Sequence, residues 1–319
     1  MSRLVSDSPL AGRSRRVLLD TDIGSDVDDS LALALILGSP ETELVGITTV
    51  YGDTILRARI ARQLLSLAGI TADIPIVSGA QRTLSGRPVW WPGHEGRTYD
   101  LGALEQWTPA EGAAQYLVEQ AAQHPGDIDL VAIGPLTNVA EALTLDPRLA
   151  ANLRSIHLMG ASFDESGPEH NVLSDTHAAD VVFRSDARLV VTPVDMTRRV
   201  RLEPMLVERI EASGPMGSAL GAEIRQWMEI QRGEHSIPHD ATTALGIVRP
   251  DLFEYERSHI LVSLTPDDGP AGEGATRRRP DPHSNTDVVV DLDVEAVRQQ
   301  IVGRVCAADG VGLRNSEAR

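Results

Sequence analysis

A short apolar strand that runs directly into a cluster of aspartates is the feature that most constrains this chain. The segment Arg16–Leu37 reads RVLLDTDIGSDVDDSLALALIL. Its apolar start predicts a buried strand, and the run LALALIL after Ser30 predicts a helix. The turn between them carries the carboxylates of Asp20, Asp22, Asp26, Asp28 and Asp29.

These five carboxylates lie within ten residues and repel one another strongly in a folded turn unless a cation lies among them. Gly24 permits the sharp bend that brings them together. Carboxylate oxygens are the ligands that hard divalent cations prefer. We therefore predict a divalent metal site at the carboxyl end of the first strand.

Three alternative motifs account for less of the pattern. Asp28 or Asp29 could be only a helix N-cap, but a cap explains one aspartate and not five. An EF-hand loop requires glycine where Ser25 stands and glutamate where Leu31 stands. The Asp20-x-Asp22 pair also resembles the phosphoryl-transfer site of haloacid-dehalogenase-like enzymes, which needs a lysine further on. All 29 basic residues here are arginine.

Composition narrows the class of partner. A formal net charge of −17 and a sequence pI near 4.9 argue against nucleic acid or an anionic membrane as partner. A single cysteine, Cys306, excludes a disulfide framework and a thiolate zinc site. No apolar run approaches the ~20 residues needed to span a bilayer, and the first residues lack an apolar signal core. We expect a soluble cytoplasmic protein.

Strands and helices alternate along the chain, which predicts right-handed βαβ units. The fold class is therefore α/β, with a mostly parallel central sheet and helices on both faces. We expect one domain over residues 15–306, between flexible tails at 1–14 and 307–319. Within it, Thr108-Pro109-Ala110-Glu111 is a plausible helix start, and Arg277–Arg279 are expected in an exposed loop.

Polar residues follow several of the predicted strands where each strand ends. Asp22, Asp53, Gly134 and Met159 come after the first, second, fourth and fifth strands. Ligands of such sheets bind beyond the carboxyl ends of the strands. This placement predicts one binding site at the carboxyl edge of the sheet, rather than unrelated residues scattered over the surface.

Six motifs in order carry a resemblance to a known family. They are DTDIGSDVDDSLAL (Asp20–Leu33), ITTVYGD (Ile47–Asp53), IGPLTNVAEAL (Ile133–Leu143), HLMGASF (His157–Phe163), EHNVLSDTHAADVVF (Glu169–Phe183) and PHDATTAL (Pro238–Leu245). Together they resemble the nucleoside hydrolase family of the inosine/uridine-preferring type. The resemblance implies a Rossmann-like nucleoside hydrolase fold and Ca²⁺-dependent hydrolysis of the N-glycosidic bond of a ribonucleoside, giving free base and ribose.

The same resemblance assigns roles to particular residues. The implied calcium ligands are Asp22, Asp29, Asp240 and the main-chain carbonyl of Ile133. Asp28 matches the general base that activates the attacking water held by the metal. Because the aspartate loop is two residues longer than the common family form, Asp26 could replace Asp28 or add a ligand. His239 matches the histidine that protonates the leaving base, its alternative being a structural histidine beside a capping Asp240.

Further residues match the family's substrate contacts. Glu169 and Asn171 match groups that bind ribose hydroxyls, and Met159 matches a residue of the sugar pocket. Asp53 stands where the family often has asparagine near the ribose 2′-hydroxyl, and His170 replaces a common phenylalanine. Further candidates lie in segments that cover the site in relatives, where they either stack on a base or fill core or subunit contacts: Trp90, Trp91, His94 and Trp227.

Two other functions remain open at this stage. The same machinery could hydrolyse another ribosyl conjugate, or the chain could be a non-catalytic, calcium-stabilised nucleoside-binding protein. The presence of Asp28 together with His239-Asp240 favours catalysis, since binding alone needs neither a base nor an acid. The family resemblance also implies a homodimer or homotetramer. The choice between purine and pyrimidine bases, and between ribose and deoxyribose, is left undetermined.

Overall fold

The structure is a computed structural model that describes residues 14–267 and 272–311. Of the predicted tails (1–14 and 307–319), residues 1–13 and 312–319 lie outside the described residues. Ten strands form one sheet: β1 (Arg15–Thr21), β2 (Thr42–Thr49), β3 (Ile76–Ser78), β4 (Ala110–Glu111), β5 (Ile128–Ala132), β6 (Ser155–Met159), β7 (Leu189–Thr192), β8 (Phe253–Val262), β9 (Thr276–Pro280) and β10 (Thr286–Leu292).

The order of strands across the sheet is β4-β3-β2-β1-β5-β6-β7-β10-β8-β9. All pairs from β4 to β10 are parallel, and only β10–β8 and β8–β9 are antiparallel. The predicted mostly parallel α/β sheet is confirmed. Because β1 lies near the middle, the turn that follows it is surrounded by neighbouring strand ends.

Within the described part of the chain, twelve α-helices connect or follow the strands. They are α1 (Asp28–Leu37), α2 (Thr54–Leu67), α3 (Ala113–Gln123), α4 (Thr137–Leu145), α5 (Leu149–Asn152), α6 (His170–Ser174), α7 (Thr176–Phe183), α8 (Val194–Thr197), α9 (Pro204–Glu211), α10 (Pro215–Gln231), α11 (His239–Val248) and α12 (Val294–Ala307). Among the described residues, no helix is long and apolar enough to cross a membrane.

The central strands are buried on both faces, as their continuous apolar runs predict. Along β1, Val17 and Leu19 join one apolar cluster and Leu18 joins another. Successive side chains of a strand point to opposite faces, so the two clusters lie on opposite sides of the sheet. The first cluster includes residues of α1, α2 and α9–α12, and the second includes residues of α3, α4 and α7.

Three local predictions differ from the structure. Ala110 and Glu111 form the short edge strand β4, and the helix starts only at Ala113, after Gly112 with a positive φ of 99°. Arg277–Arg279 belong to β9, an exposed edge strand paired with β8, rather than to a loop. Packed structure also continues past residue 306, because Ala308 is fully buried.

Candidate active site

The acidic turn joins β1 to α1 and places its carboxylates at the start of that helix. Gly24 has a φ of +107°, and a Cβ there would lie 2.5 Å from Cδ1 of Ile60, so the bend requires glycine. Asp28 and Asp29 occupy the first turn of α1. Unpaired backbone N–H groups and the helix dipole favour negative charge at this position.

Asp240 reaches the same point from a distant part of the chain. It lies in the first turn of α11, which packs against α1. One carboxylate oxygen from each of Asp28, Asp29 and Asp240 lies within 4.8 Å of the others, and the three side chains are buried. Folding therefore gathers three carboxylates into a space in which a single cation could touch all of them.

Burial makes this cluster costly to ionise. It raises the pKa of Asp28, Asp29 and Asp240 well above the usual range, and the charges of neighbouring carboxylates raise each pKa further. Burial also raises the pKa of Asp22, and it raises that of the partly buried Asp26 to about 8. All these donors are oxygen atoms, so the residues present fit a hard divalent cation, whose charge would favour their ionised forms.

A buried arginine that the sequence analysis did not single out supports the turn from behind. Arg57 of α2 is fully buried, and its guanidinium donates to the main-chain carbonyls of Asp22 and Ile23, the latter at 2.9 Å. It also donates to the Ser25 hydroxyl at 3.0 Å and to the carbonyl of Tyr51 at 2.6 Å. These contacts fix the backbone of the turn and leave its carboxylate oxygens available to a cation.

Tyr51 connects Arg57 to the loop that covers the site. Its backbone has a φ of 69°, a left-handed conformation unusual for a residue other than glycine. Its hydroxyl accepts a hydrogen bond from the backbone N–H of Trp90 at 2.7 Å. The ring of Trp91 stacks on the Arg57 guanidinium, with 4.9 Å between the guanidinium carbon and the ring centre. Arg57, Tyr51 and the two tryptophans therefore form one connected support.

The wall next to the acidic cluster carries the predicted sugar contacts. Glu169 caps α6 by accepting from the backbone N–H groups of Asn171 and Val172 at 2.7 and 2.9 Å, and burial raises its pKa. The side-chain amide of Asn171 donates to the Ile133 carbonyl at 2.8 Å and lies 3.8 Å from the Met159 sulfur. A carbonyl oxygen has two lone pairs, so the Ile133 carbonyl can accept this bond and still bind a cation.

His239 lines the same cavity and directly precedes Asp240 in the sequence. Its Nδ1 lies 2.6 Å from the Thr197 hydroxyl. Burial and, to a smaller extent, the nearby charge of Arg198 lower its pKa from 6.5 to about 4. At neutral pH the ring is therefore uncharged.

These groups line one cavity of about 670 Å³ at the carboxyl ends of the central strands. The predicted residues that line it are Asp22, Asp26, Asp28, Asp29, Trp90, Ile133, Met159, Glu169, His170, Asn171, Trp227, His239 and Asp240. A cavity of this size is typical of small-molecule sites. The structure thus supports the predicted single site at this sheet edge.

Three of the candidate residues do not line the cavity. Asp53 is exposed and caps α2 by accepting from the Leu56 N–H at 2.9 Å. Trp91 packs against Arg57 instead. His94 is buried behind the turn, where its Nε2 lies 2.6 Å from the Ser25 carbonyl oxygen.

A buried carboxylate anchors the covering loop. Asp175 accepts from the backbone N–H groups of Leu84 and Ser85 at 2.7 and 3.0 Å, and from the Thr137 hydroxyl at 2.7 Å. The anchored segment continues into Arg87, Pro88 and Trp90, which line the cavity. Asp175 therefore holds one wall in place without touching the interior.

Sequence reasoning missed several cavity residues, notably Tyr51, Arg87 and Arg198. Arg57 carried a usable signal, because it shares a helical stripe with the apolar residues Ile60, Ala61 and Leu64. An arginine on the buried face of a helix needs partners, and these partners are backbone carbonyls. No such pattern marks Arg198, whose location depends on how α8 packs against α11.

Comparison with known proteins identifies the family. The model of the family described as inosine-uridine preferring nucleoside hydrolase matches residues 17–299. Uridine nucleosidase 1 of Arabidopsis thaliana is 30% identical over 275 residues, 81% of each chain. The inosine-uridine preferring nucleoside hydrolase of Crithidia fasciculata is 30% identical over 305 residues, covering 88% of this chain and 94% of that one.

Solved structures show the same fold. A plant nucleoside hydrolase, the PpNRh1 enzyme, superimposes with a TM-score of 0.77 at 26% identity, over 92% of this chain and 99% of the other. The fold and the acidic site at the strand ends define an α/β N-glycosyl hydrolase. The chain belongs to the inosine-uridine preferring nucleoside hydrolase family, whose substrates are ribonucleosides. The family resemblance drawn from the sequence motifs is thereby confirmed.

Proposed function

We propose that this enzyme hydrolyses the N-glycosidic bond of ribonucleosides in a Ca²⁺-dependent reaction, with Asp28 as the general base. One observation carries the proposal: the buried cluster of Asp28, Asp29 and Asp240 lies in the same cavity as Glu169 and Asn171. Carboxylates next to hydrogen-bonding groups suit a polyhydroxylated sugar held against a cation.

The calcium ligands in this proposal are the carboxylates of Asp22, Asp29 and Asp240 with the main-chain carbonyl of Ile133. A bound Ca²⁺ supplies positive charge that acidifies water and orients hydroxyl oxygens. The all-oxygen donor set fits a hard divalent cation, and the choice of calcium among these follows from the family resemblance. Asp26, which lines the cavity but is less buried, is the alternative base or an added ligand.

The protein residues supply the remaining steps. Asp28 takes a proton from the attacking water, whose oxygen bonds to C1′ of the sugar as the bond to the base breaks. Glu169 and Asn171 hold the sugar hydroxyls, and Met159 packs in the sugar pocket. The oxocarbenium-like transition state of glycosidic cleavage gains from the negative charge around it.

A nucleoside panel tests the proposal. Release of reducing sugar is measured for uridine, cytidine, inosine, adenosine and their 2′-deoxy forms, before and after removal of metal with a chelator and after return of Ca²⁺ or Mg²⁺. We expect release that stops with the chelator and returns with Ca²⁺. Absence of release from every nucleoside, together with calorimetric binding of one of them, would favour the alternative of a non-catalytic nucleoside-binding protein.

Two related alternatives have their own readouts. Hydrolysis of another ribosyl conjugate by the same residues would appear as sugar release from that conjugate and from no nucleoside. Assembly as a homodimer or homotetramer, which the family resemblance implies, is measured by light scattering of the purified chain.

A further inference from the structure

One cationic side chain lies in the part of the cavity near His239. The neighbouring lining residues from α8, α10 and the segment before α11 are Val194, Trp227, Gln231 and Ile237. None of these four carries a charge. Arg198, which follows the last residue of α8, therefore brings the positive charge to this wall.

The Arg198 guanidinium is only loosely engaged by the protein. Within residues 14–267 and 272–311, its one ion pair is with Asp164, at 3.5 Å between Nη1 and Oδ2. Both side chains are about two-fifths exposed or more. Arg87, the other arginine of the cavity, is held more tightly, at 2.7 Å from Glu273. Arg198 therefore keeps donors free for a ligand.

The Thr197 hydroxyl lies between the ring of His239 and a main-chain carbonyl. The single hydroxyl proton of Thr197 has an acceptor in the Val194 carbonyl, 3.2 Å away. If the hydroxyl proton points to that carbonyl, Nδ1 of His239 is the donor in its 2.6 Å contact with Thr197. In that arrangement Nε2 carries a lone pair, and the positive charge on this side of the cavity comes from Arg198.

We propose that Arg198 binds the leaving base and stabilises the negative charge that develops on it, which selects bases with a carbonyl group beside the glycosidic nitrogen. The proposal rests on the proposed nucleoside hydrolysis and deepens it. Uracil has such a carbonyl, and the planar donor fork of arginine suits a nitrogen and oxygen side by side.

The step balances without a protein acid. As the C1′–N bond breaks, its electron pair stays on the base nitrogen and spreads to the adjacent carbonyl oxygen. The water oxygen bonds to C1′, and Asp28 takes the water proton. The base leaves as an anion paired with Arg198 and is protonated by solvent after release, while Asp28 returns its proton to solvent.

Two substrates with the same sugar separate this role from a structural one. Uridine has a poor leaving group, whereas 4-nitrophenyl riboside releases nitrophenolate, which needs little help. Arg198→Gln should lower kcat for uridine by roughly 10²-fold, the loss seen when one donor to a developing anion is removed. The loss on 4-nitrophenyl riboside should stay below roughly 5-fold, because a stable anion depends less on that donor. The kcat of Arg198→Lys for uridine should lie between that of the wild type and that of Arg198→Gln.

Matched variants control for local damage. Arg199→Gln changes the next residue, which is exposed and pairs with Asp291 at 2.7 Å, and should leave both rates unchanged. Asp164→Asn removes the one ion-pair partner that the described residues give Arg198. It should leave kcat for uridine within roughly 3-fold of the wild type, since the proposed bond is to the base. Circular dichroism and thermal melting confirm that each variant is folded.

The outcomes are distinct. A large loss on uridine with a small loss on 4-nitrophenyl riboside supports the role of Arg198. Equal losses on the two substrates, or no loss on uridine, overturn it while leaving nucleoside hydrolysis intact. If the wild type cleaves neither substrate with Ca²⁺ present, the proposed function itself fails, and the role of Arg198 fails with it.

Discussion

The guanidinium of Arg57 donates to the main-chain carbonyl of Asp22, so the positive charge nearest the acidic turn is bound to its backbone. An arginine among the carboxylates would compete with a metal ion for them. Placed behind the turn, it instead lowers the electrostatic cost of the cluster and fixes its shape. Burial lowers the pKa of Arg57, while the charges of Asp22 and Asp29 oppose that shift.

Arg57→Met should therefore weaken both the fold and the metal site. It leaves buried carbonyls without a donor, and we expect a loss of about 3 kcal/mol in the free energy of unfolding without metal. Calcium affinity should fall by about 10-fold, since the ligands lose their support. Urea unfolding and calorimetric titration measure these effects. Arg59→Met is the matched control, because Arg59 lies on the same helix and donates to Glu105 and Trp107 at the surface. Similar losses in the two variants would contradict a specific role for Arg57.

Asp28→Asn should lower kcat by at least ~10²-fold with little change in stability, as expected for a positioned base. Initial rates with saturating Ca²⁺ measure it. Asp26→Asn is the comparison, because Asp26 lies in the same turn and lines the same cavity. If the large loss follows Asp26→Asn and not Asp28→Asn, the two residues exchange roles.

Calcium should raise the melting temperature of the apo protein. At a concentration 100 times Kd, a ligand of the native state adds about 2.7 kcal/mol, which corresponds to roughly 4 °C for a chain of this size. Asp240→Asn should lose most of that shift, since Asp240 supplies one of the clustered oxygens. Asp293→Asn, at the cap of α12, should keep it. An undiminished shift in Asp240→Asn would remove Asp240 from the metal site.

The raised pKa of Glu223, which does not line the active-site cavity, predicts that the stability of the protein depends on pH. Glu223 is buried and accepts a hydrogen bond from the Tyr99 hydroxyl, and burial raises its pKa from 4.5 to about 7. The native carboxyl therefore holds its proton more tightly than the unfolded one. Stability falls as the pH rises between these two values, by about 3 kcal/mol once the pH exceeds the native pKa.

Glu223→Gln should remove this contribution. The free energy of unfolding of the variant minus that of the wild type should rise between pH 5 and pH 8, measured in urea with Ca²⁺ present. The subtraction cancels the other buried carboxyls. A difference that is flat over this range would show that the native pKa of Glu223 is not raised.

Asp53 should behave as a helix cap. Asp53→Ala is expected to cost about 1 kcal/mol of stability, and Asp53→Asn much less, because asparagine also caps. KM for nucleosides should be unchanged in both. A tenfold rise in KM in the two variants would instead place Asp53 at the substrate, as the family resemblance implies.

The sheet and the location of the site were predictable because they depend on local pattern. Apolar runs ending in polar residues identified β1, β2, β5 and β6, and parallel strands bring their carboxyl ends to one edge. The acidic turn needed no tertiary information, since Gly24 and the aspartates stand side by side in the sequence. The ordered motifs also predicted, through the family resemblance, that Asp240 lies next to that turn.

The details that were not predictable depend on packing between distant segments. Asp53 follows β2 just as Asp22 follows β1, yet it caps α2 and faces solvent, a choice that spacing does not reveal. Arg277–Arg279 form an edge strand because β8 offers an unpaired side, although the residues themselves suggest a loop. Ala110 was expected near the start of a helix, but it lies in β4 because that segment pairs with β3.

The anchoring of Leu84 and Ser85 by Asp175 has a consequence for synthesis of the chain. The loop leaves the ribosome about ninety residues before its anchor does, and domains generally fold as units. The wall that carries Trp90 is therefore completed only after the middle of the chain has emerged from the ribosome.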